Sequence, residues 1–456
     1  MVPKETTPQY SVAVVGAGPA GLFAAKQLAS EGAHVVLFNR DIKPGGLAEY
    51  GIYPDKHKMK EGLRAQFRQI LTLPEVEYYG NVTIGEGDDF LLSDLLNLGF
   101  QAVLVTVGAQ GTKWLGLPGE DLGGVYHAKD LVYHYNRLPP FSQETFTIGK
   151  RVAVVGVGNV MLDVTRYLIN QRGVDEVIAV ARRGPGEIKF TKPELEEVVG
   201  NLDMAAFEEE VARVTPAMQA VGQDAQKPLE LVRSEHEKVP AANSLSSFRV
   251  TFLSAPHRIL ASPEGRVAGL EVEDTTLVLE GEEIRARGLH TYRVLDVDTV
   301  IFAIGDRVED HFGLPISGNE FVKHPEPRFP VEGHSHEAYD PENHCPLDGI
   351  FVAGWSRKAS TGLVGIARKD GTNGARAVLQ YLQTLPPLDE FTLDGLRRRI
   401  AELPHPVVTL DDLRRLEAIE KDYAEQHGLE EFKYASNEEM LEVMNLAPSP
   451  VHTQPS

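Results

Sequence analysis

The chain has one cysteine, Cys345, in 456 residues. That excludes an internal disulfide and any redox relay run on a pair of thiols in the same chain, and it fits a reducing compartment. Long hydrophobic runs are also absent. No stretch approaches the roughly twenty apolar residues of a membrane-spanning helix, and MVPKETTPQY at the start is too short and polar for a secretory signal. The expectation is a cytoplasmic protein without a membrane span. Positive charge is scarce: 45 Lys and Arg stand against 66 Asp and Glu, a net charge of -21. This argues against nucleic acid or an anionic membrane as a partner of the whole surface, while leaving room for a local basic patch. A repeated metal-ligand spacing is missing too. His334, His336 and His344 fall near Cys345 in HSHEAYDPENH, but Pro, Asn and acidic residues surround them, and the segment reads as a surface loop with no metal site.

What is present is ordinary for a folded α/β protein: 42% hydrophobic and 24% charged residues, in a chain long enough for about two or three domains. The chain is organised around VAVVGAGPAG, Val12 to Gly21. Four β-favouring apolar residues form a buried strand, and Gly16, Gly18 and Gly21 follow in G-x-G-x-x-G spacing as the chain enters a helix over Leu22 to Ser30. The first glycine permits the tight turn, the second removes a Cβ that would block a pyrophosphate, and the third lets helix and strand pack closely. The helix N-terminus turns unpaired N–H groups towards the phosphates. A second strand, His34 to Phe38, leads to Asn39, where a dinucleotide fold usually places an Asp or Glu for the ribose. Gly45, Gly46 and Gly51 then let the backbone run close to a ligand. The following PDKHKMKEGLRAQFR carries Lys56, Lys58, Lys60, Arg64 and Arg68. It is either the solvated face of a helix or a docking patch for an acidic partner.

The opening pattern then repeats. Ala102 to Val107 is a strand, and the Gly- and Pro-rich GLPGEDLGGVYHA reads as a crossover between domains. Arg151 to Val155 is a strand followed by Gly156 and Gly158 at the same spacing, a helix over Val160 to Gln171 and a strand over Glu176 to Ala181. Met161 replaces the third glycine and is expected to hold its helix slightly away from the strand. This second unit ends at Arg182 and Arg183. A guanidinium pair there suits a ribose 2′-phosphate through charge-assisted bidentate bonds. The first unit therefore reads as a flavin dinucleotide site and the second as an NADPH site. From Gly200 to about Arg293, segments such as SFRVTFL and RVAGLEVEDTTLVL read as hairpins of a small antiparallel sheet. Asp298 to Gly305 is a further buried strand. GIFVAGWSRKASTGLVG reads as a strand, then Gly354 and Trp355, then Gly362 to Val364 entering a helix to Leu382. Residues 388–445 read as charged helices with capping-box starts at Thr409 and Ser436 and a stop at Gly428.

GAGPAG, GLAEYGIYPD, GLPGED with GVYHA, GVGNVMLDVTR, ARRGP with FTKPEL, and AGWSRKASTGLVG occur here in the order found in adrenodoxin reductase and the bacterial ferredoxin–NADP reductases of that type. The chain resembles that family from about residue 10 to EEMLEV near its end. It shares parts of the pattern with the glutamate synthase small subunit, but lacks that protein's cysteine-rich N-terminal region. The resemblance implies an α/β fold of two Rossmann-like dinucleotide-binding domains, the NADPH domain inserted into the FAD domain. The FAD domain would take residues 1–112 and 329–385, the NADP domain 113–328, and a charged helical C-terminal extension 386–456. FAD would be held by Gly16, Gly18, Pro19, Ala20, Gly21, Asn39, Gly46, Leu47, Gly354, Trp355, Gly362, Leu363 and Val364. NADPH would meet Gly156, Gly158, Asn159, Val160, Arg182, Arg183, Glu194 and Gly362. Asp163 matches a family acid near the flavin, and it and Trp355 would position the reactants. Three positions depart from the pattern: Asn39 replaces the usual Glu, Pro54, Asp55 and Lys56 stand where PDH is usual with His57 one place later, and Met161 replaces a small residue.

The activity implied is hydride transfer from NADPH to FAD, then release of single electrons to a ferredoxin or similar small iron–sulfur protein, or the reverse. Two alternatives remain open at this point: a diaphorase or reductase subunit serving a quinone or other acceptor, and a non-catalytic nucleotide-sensing flavoprotein.

Overall fold

Runs of β-branched and small apolar residues form parallel strands buried on both faces, which is why they show no polar alternation. In the computed structural model, which describes residues 10–239, 244–359, 362–388 and 392–446, Tyr10–Val15 lies inside a six-stranded sheet. The order is Glu337–Asp340, Cys345–Val352, Ala102–Val105, Tyr10–Val15, Ala33–Asn39, Val76–Gly80. All neighbours are parallel except the first two, and Val12 stands opposite both Val35 and Ala102. The period of two divides the core. Val12 and Val14 pack with Leu22, Phe23, Phe67 and Val378 on one face, and Ala13 and Val15 with Phe90, Phe312, Phe321 and Leu396 on the other. Residues 1–9, Ser360 and Thr361 of the AGWSRKASTGLVG motif, and residues 389–391 and 447–456 of the expected extension lie outside the described residues.

A second parallel sheet runs Ser247–Thr251, Glu176–Val180, Arg151–Val155, Thr299–Phe302, Val125–His127. Against it pack Ile259, Val267, Leu270 and Val272 of a three-stranded antiparallel sheet made of Ser254–Ala261, Val267–Glu280 and Glu283–Leu295. Two readings change here. SFRVTFL belongs to the parallel sheet rather than to a hairpin, and GVYHA supplies that sheet's edge strand rather than a plain crossover. The stretch after Gly200 also holds two helices, Met204–Gln219 and Gln226–His236. The first buries Phe207, Val211, Val214 and Met218 at helical spacing, a period hidden among the charges of EEEVAR.

The chain divides into two units, one of Met1–Thr112, Tyr133–Gln143 and Gly305–Ser456, the other of Lys113–Val132 and Glu144–Ile304. In chain order the second unit is inserted into the first. Residues 305–328, expected in the NADP domain, instead join the first unit. Their Val308, Phe312, Leu314 and Phe321 fill its core, and Asp306–Arg307 pairs with Gly111–Thr112. The C-terminal helices pack on this unit, with Leu393, Leu396 and Leu413 entering its two cores. Their caps follow the sequence. Thr409 accepts from the Asp412 N–H while Asp412 accepts from Thr409, Ser436 accepts from the Glu439 N–H at 3.1 Å, and Gly428 adopts a φ of +63°. The histidine segment is not simply a loop, because Glu337–Asp340 pairs antiparallel with Cys345–Val352. His336 is buried with Nδ1 3.0 Å from the Val352 carbonyl oxygen. Among the described residues no cluster is arranged to hold a metal ion, and no helix is long and apolar enough to cross a membrane.

Helices Pro19–Ser30 and Val364–Leu382 cross so closely that a Cβ on Gly371 would lie 2.0 Å from the Ala20 carbonyl oxygen. Gly62, inside helix His57–Leu71, would meet nothing within 4 Å. Gly371→Ala is therefore expected to cost about 1–3 kcal/mol of stability through overpacking. Gly62→Ala should add about 0.5–1 kcal/mol from helix propensity alone. Urea midpoints of the two variants, moving in opposite directions, check both statements.

Candidate dinucleotide-binding sites

The strand Tyr10–Val15 ends at Gly16, where a φ of +105° and an N–H bond of 2.8 Å to the Phe38 carbonyl turn the chain towards its first helix. A Cβ on Gly16 would sit 2.7 Å from the Thr106 carbonyl oxygen, and one on Gly21 would sit 1.9 Å from the Gly16 carbonyl oxygen. The protein's own packing demands these two glycines. Gly18 is different: a Cβ there would meet nothing within 4 Å. Its side faces open space at a helix N-terminus, where Ala20 and Gly21 carry N–H groups with no intrahelical acceptor. That is the geometry a pyrophosphate needs.

A second glycine loop lies against the first. Gly45 donates its N–H to the Ala17 carbonyl oxygen at 2.7 Å, and a Cβ on Gly46 would come within 3.2 Å of the Gly18 Cα. Asn39 joins the two loops. Its Oδ1 accepts the Ala17 N–H at 2.9 Å while Nδ2 donates to the carbonyls of Asp41 at 2.8 Å and Lys43 at 3.1 Å. Asn39, expected at the ribose, here braces the two loops with its amide. An amide does this where a carboxylate fails, because two of the three bonds need a donor. Leu47, at the start of the short helix Leu47–Tyr50, is half-buried beside this loop.

The third part of the site comes from far along the chain. Gly354 has a φ of +68°, and a Cβ on it would lie 2.7 Å from the Ala20 Cβ, so this turn rests on the start of the first helix. The Gly354 N–H donates to Asp370 Oδ2 at 2.7 Å, and Arg357 Nε donates to Asp370 Oδ1 at 3.0 Å. Ser356 Oγ accepts the Gly108 N–H at 3.0 Å. Trp355 is half-buried and lines a cleft of about 170 Å³ together with His334, Lys358 and Ile366. Gly362 and Leu363 are exposed where helix Val364–Leu382 begins. The structure thus gathers Gly18, Ala20, Gly46 and Gly354 from three distant segments.

The second unit repeats the first device with different chemistry. Gly156 turns with a φ of +131°, and a Cβ on it would lie 2.3 Å from the Ala303 carbonyl oxygen. At Gly158 a Cβ would again meet nothing within 4 Å. Met161, in the third glycine's place, is fully buried, and the Thr165 hydroxyl lies 3.6 Å from its sulfur. Asn159 Oδ1 accepts the Thr191 N–H at 2.8 Å, and Lys189 donates its N–H to the Val157 carbonyl at 3.1 Å, so GVGNV and FTKPEL form one loop pair. Glu194 is half-buried and accepts from the Thr191 hydroxyl. Val160 is 45% exposed, and Asp163 is half-buried on the same helix, Asn159–Tyr167. The two arginines, expected to act alike, part company. Arg183 Nη1 lies 3.0 Å from Glu187, whereas Arg182 is exposed and its guanidinium forms no ion pair among the described residues. The Arg182 carbonyl is fixed by Thr275 Oγ1 at 2.8 Å.

The basic run in the first unit is the largest departure from the sequence reading. Two of its five cations, Lys60 and Arg64, turn inward to buried partners. Lys60 is 1% exposed and donates to Asn136 Oδ1 at 3.0 Å. Arg64 grips Glu49 through two bonds of 2.6 and 2.7 Å and also pairs with Glu431. Arg68, its side chain 43% exposed, pairs with Glu61 at 2.8 Å and Glu417 at 2.9 Å, and Lys58 is exposed. Lys43 pairs with Glu420, and Lys433 lies 2.7 Å from Glu49. Burial pushes the Glu49 carboxyl up, but Lys433, Lys43 and Arg64 together hold it well below its usual value. Burial, then Lys433, lowers Lys60 to about 8. Glu49, Glu420, Glu431, Lys433 and Asn136 were not found from the sequence. Their one signal was an excess of like charge over residues 56–68 that had to be neutralised from elsewhere.

Comparison with known proteins gives relatives along nearly the whole chain. A family model described as "Pyridine nucleotide-disulphide oxidoreductase" matches residues 10–242, just over half of the chain. NADPH-ferredoxin reductase FprA of Mycobacterium leprae is 27% identical, with 95% of this chain and 98% of that protein covered. The mitochondrial NADPH:adrenodoxin oxidoreductase of Bos taurus is 28% identical over 97% of this chain and 93% of its own. The solved structure of Mycobacterium tuberculosis FprA in complex with NADPH matches with a TM-score of 0.77 at 26% identity, covering 96% of this chain and 99% of that one.

The ion cluster sets an acid limit on stability. Burial raises Glu431, and Lys433, Arg64 and Lys60 outweigh it to leave the carboxyl below its ordinary 4.5. A carboxylate held low in the folded state stabilises fully above that ordinary value and loses the contribution as the pH falls through its folded pKa. Glu431→Gln should cost about 3 kcal/mol near neutral pH, since it strands buried cations. The gap to the parent protein should close on acidification below about pH 4. Denaturant titrations of both proteins across that range check the sign and the window.

Proposed function

The chain belongs to the pyridine nucleotide-disulphide oxidoreductase family, and from that premise we propose that it is an FAD-dependent reductase taking electrons from NADPH and delivering them singly to a ferredoxin-like iron–sulfur protein. Family membership alone leaves the electron route open. With Cys345 the sole cysteine and exposed, a dithiol relay within one chain is excluded, so electrons leave directly to an external acceptor. The observation that carries the reading is the pair of open glycine cradles at Gly18 and Gly158, the second followed by the exposed guanidinium of Arg182, which forms no ion pair among the described residues. Similar proteins are named NADPH-ferredoxin reductase and NADPH:adrenodoxin oxidoreductase, which supports an iron–sulfur partner over a quinone.

FAD, when bound, supplies the two-electron to one-electron chemistry, which belongs to the cofactor. The protein binds and orients. Ala20 and Gly21 would present N–H groups to the FAD pyrophosphate, with Gly16 and Gly18 keeping the approach clear and Pro19 starting the helix at a residue that needs no N–H partner. Gly46, Leu47, Gly354, Trp355 and Leu363 would wall the cofactor, and Asp370 fixes Gly354 in place. Gly158, Asn159 and Val160 would meet the NADPH pyrophosphate, with Glu194 on the loop that Asn159 secures. Arg182 would take the 2′-phosphate, and Arg183, already matched by Glu187, would contribute less. Asp163 and Trp355 are proposed as positioning groups.

Two outcomes test this. The purified protein, incubated with excess FAD, should retain close to one flavin per chain; the absence of flavin absorbance after gel filtration defeats the reading. Arg182→Ala should reduce the preference for NADPH over NADH by about 1.5–3 kcal/mol, roughly ten- to a hundredfold, with a smaller loss in Arg183→Ala. Steady-state kinetics with both nucleotides and a dye acceptor measure it. Offering the reduced enzyme a panel of ferredoxins, flavodoxins and quinones then decides the partner, and a useful rate with quinones alone would replace the iron–sulfur assignment.

A further inference from the structure

We propose that Glu420, Glu431 and Lys433 of the C-terminal segment are positioning residues of the FAD site, holding the loop Lys43–Glu49 at its working distance from the Gly16–Gly18 turn. The inference rests on the FAD reading above.

The loop needs an external clamp. Gly45 and Gly46 have φ values of +115° and +49° and bring little stiffness of their own. On its inner side the loop is tied by Asn39 and by the Gly45 N–H bond to Ala17. Its two ends are charged and buried: Lys43 is 6% exposed and Glu49 is 3% exposed. Lys43 pairs with Glu420. Glu49 meets Lys433, whose Nζ lies 2.7 Å from its carboxylate and donates to its backbone carbonyl at 3.0 Å. Lys433 also stands 4.9 Å from the Tyr50 ring centre. Arg64 links Glu49 onward to Glu431. Apart from Arg64, these charged partners come from helix Leu410–Gln426 or the irregular stretch after it. Apolar residues of equal volume would serve stability as well as buried ion pairs do. Charges with several specified partners do something packing alone does not: they fix where each end of the loop sits. Since even a Cβ on Gly46 would come within 3.2 Å of the Gly18 Cα, a small shift of the loop would narrow or widen the space a cofactor occupies.

The test compares Lys433→Met, Glu420→Gln and the conservative Lys433→Arg with Thr409→Ala, which weakens the start of the same helix through its cap without touching the cluster. For each full-length protein the FAD dissociation constant is measured by flavin fluorescence, the visible circular dichroism of bound flavin is recorded, and melting is followed without FAD. Lys433→Met and Glu420→Gln should weaken FAD binding about tenfold or more and alter the flavin dichroism. Lys433→Arg should stay within about threefold of the parent, as should Thr409→Ala despite its lower melting temperature. The proposal is overturned if Lys433→Met and Glu420→Gln bind FAD like the parent, or if their losses merely follow melting temperature as in Thr409→Ala. A parent protein that binds no FAD removes the underlying reading instead, and the proposal with it.

Discussion

A missing methyl group sets the geometry on which the first unit depends. The helix Pro19–Ser30 runs so close to the turn it follows that any side chain at Gly21 would collide with the Gly16 carbonyl, and the crossing at Gly371 tolerates none against Ala20. These contacts are backbone against side chain, so rotamer changes cannot relieve them. They drive the helix N-terminus over the end of the central strand, at the point where the sheet order reverses between Tyr10–Val15 and Ala102–Val105. In open parallel sheets that crevice is where ligands bind. Gly18, where a Cβ would meet nothing within 4 Å among the described residues, is not demanded by the packing in this way.

The second unit keeps the same device with a different solution. Its first glycine is as tightly confined as Gly16, while Met161 shows that the third position need not be empty when the neighbouring core takes the side chain. Chemistry separates the two units more than shape does. Asn39 is occupied in bracing two loops, whereas Arg182 at the corresponding strand end is exposed and forms no ion pair among the described residues. A neutral brace in one unit and an exposed cation in the other are the chemical difference between the two strand ends.

Buried charge forms the second constraint. The cluster around Glu49 joins a cofactor loop, helix His57–Leu71 and the C-terminal segment through pairs that lose most of their strength if any one partner is removed. Local sequence could not anticipate it. Like charges at residues 56–68 look like a surface feature because two of the carboxylates that pair with them, Glu417 and Glu431, lie more than 340 residues further on.

The sequence by itself determined the paired strand–glycine–helix units and the helix caps at Thr409 and Ser436, because each depends on residues within a few positions of one another. Periodicity, turn chemistry and capping are local, and local spacing reports them faithfully. It failed at 204–219, where a buried stripe of Phe207, Val211, Val214 and Met218 is diluted by charge, and at 305–328, whose two-residue strands are too short to carry a period. Only the tertiary structure decided that Asn39 is a brace, that Arg183 is matched by Glu187, and that Arg64 faces inward. Each of those roles depends on where a hydrogen-bonding or charged group finds its partner, and a side chain of fixed chemistry takes a different role according to what the fold sets beside it.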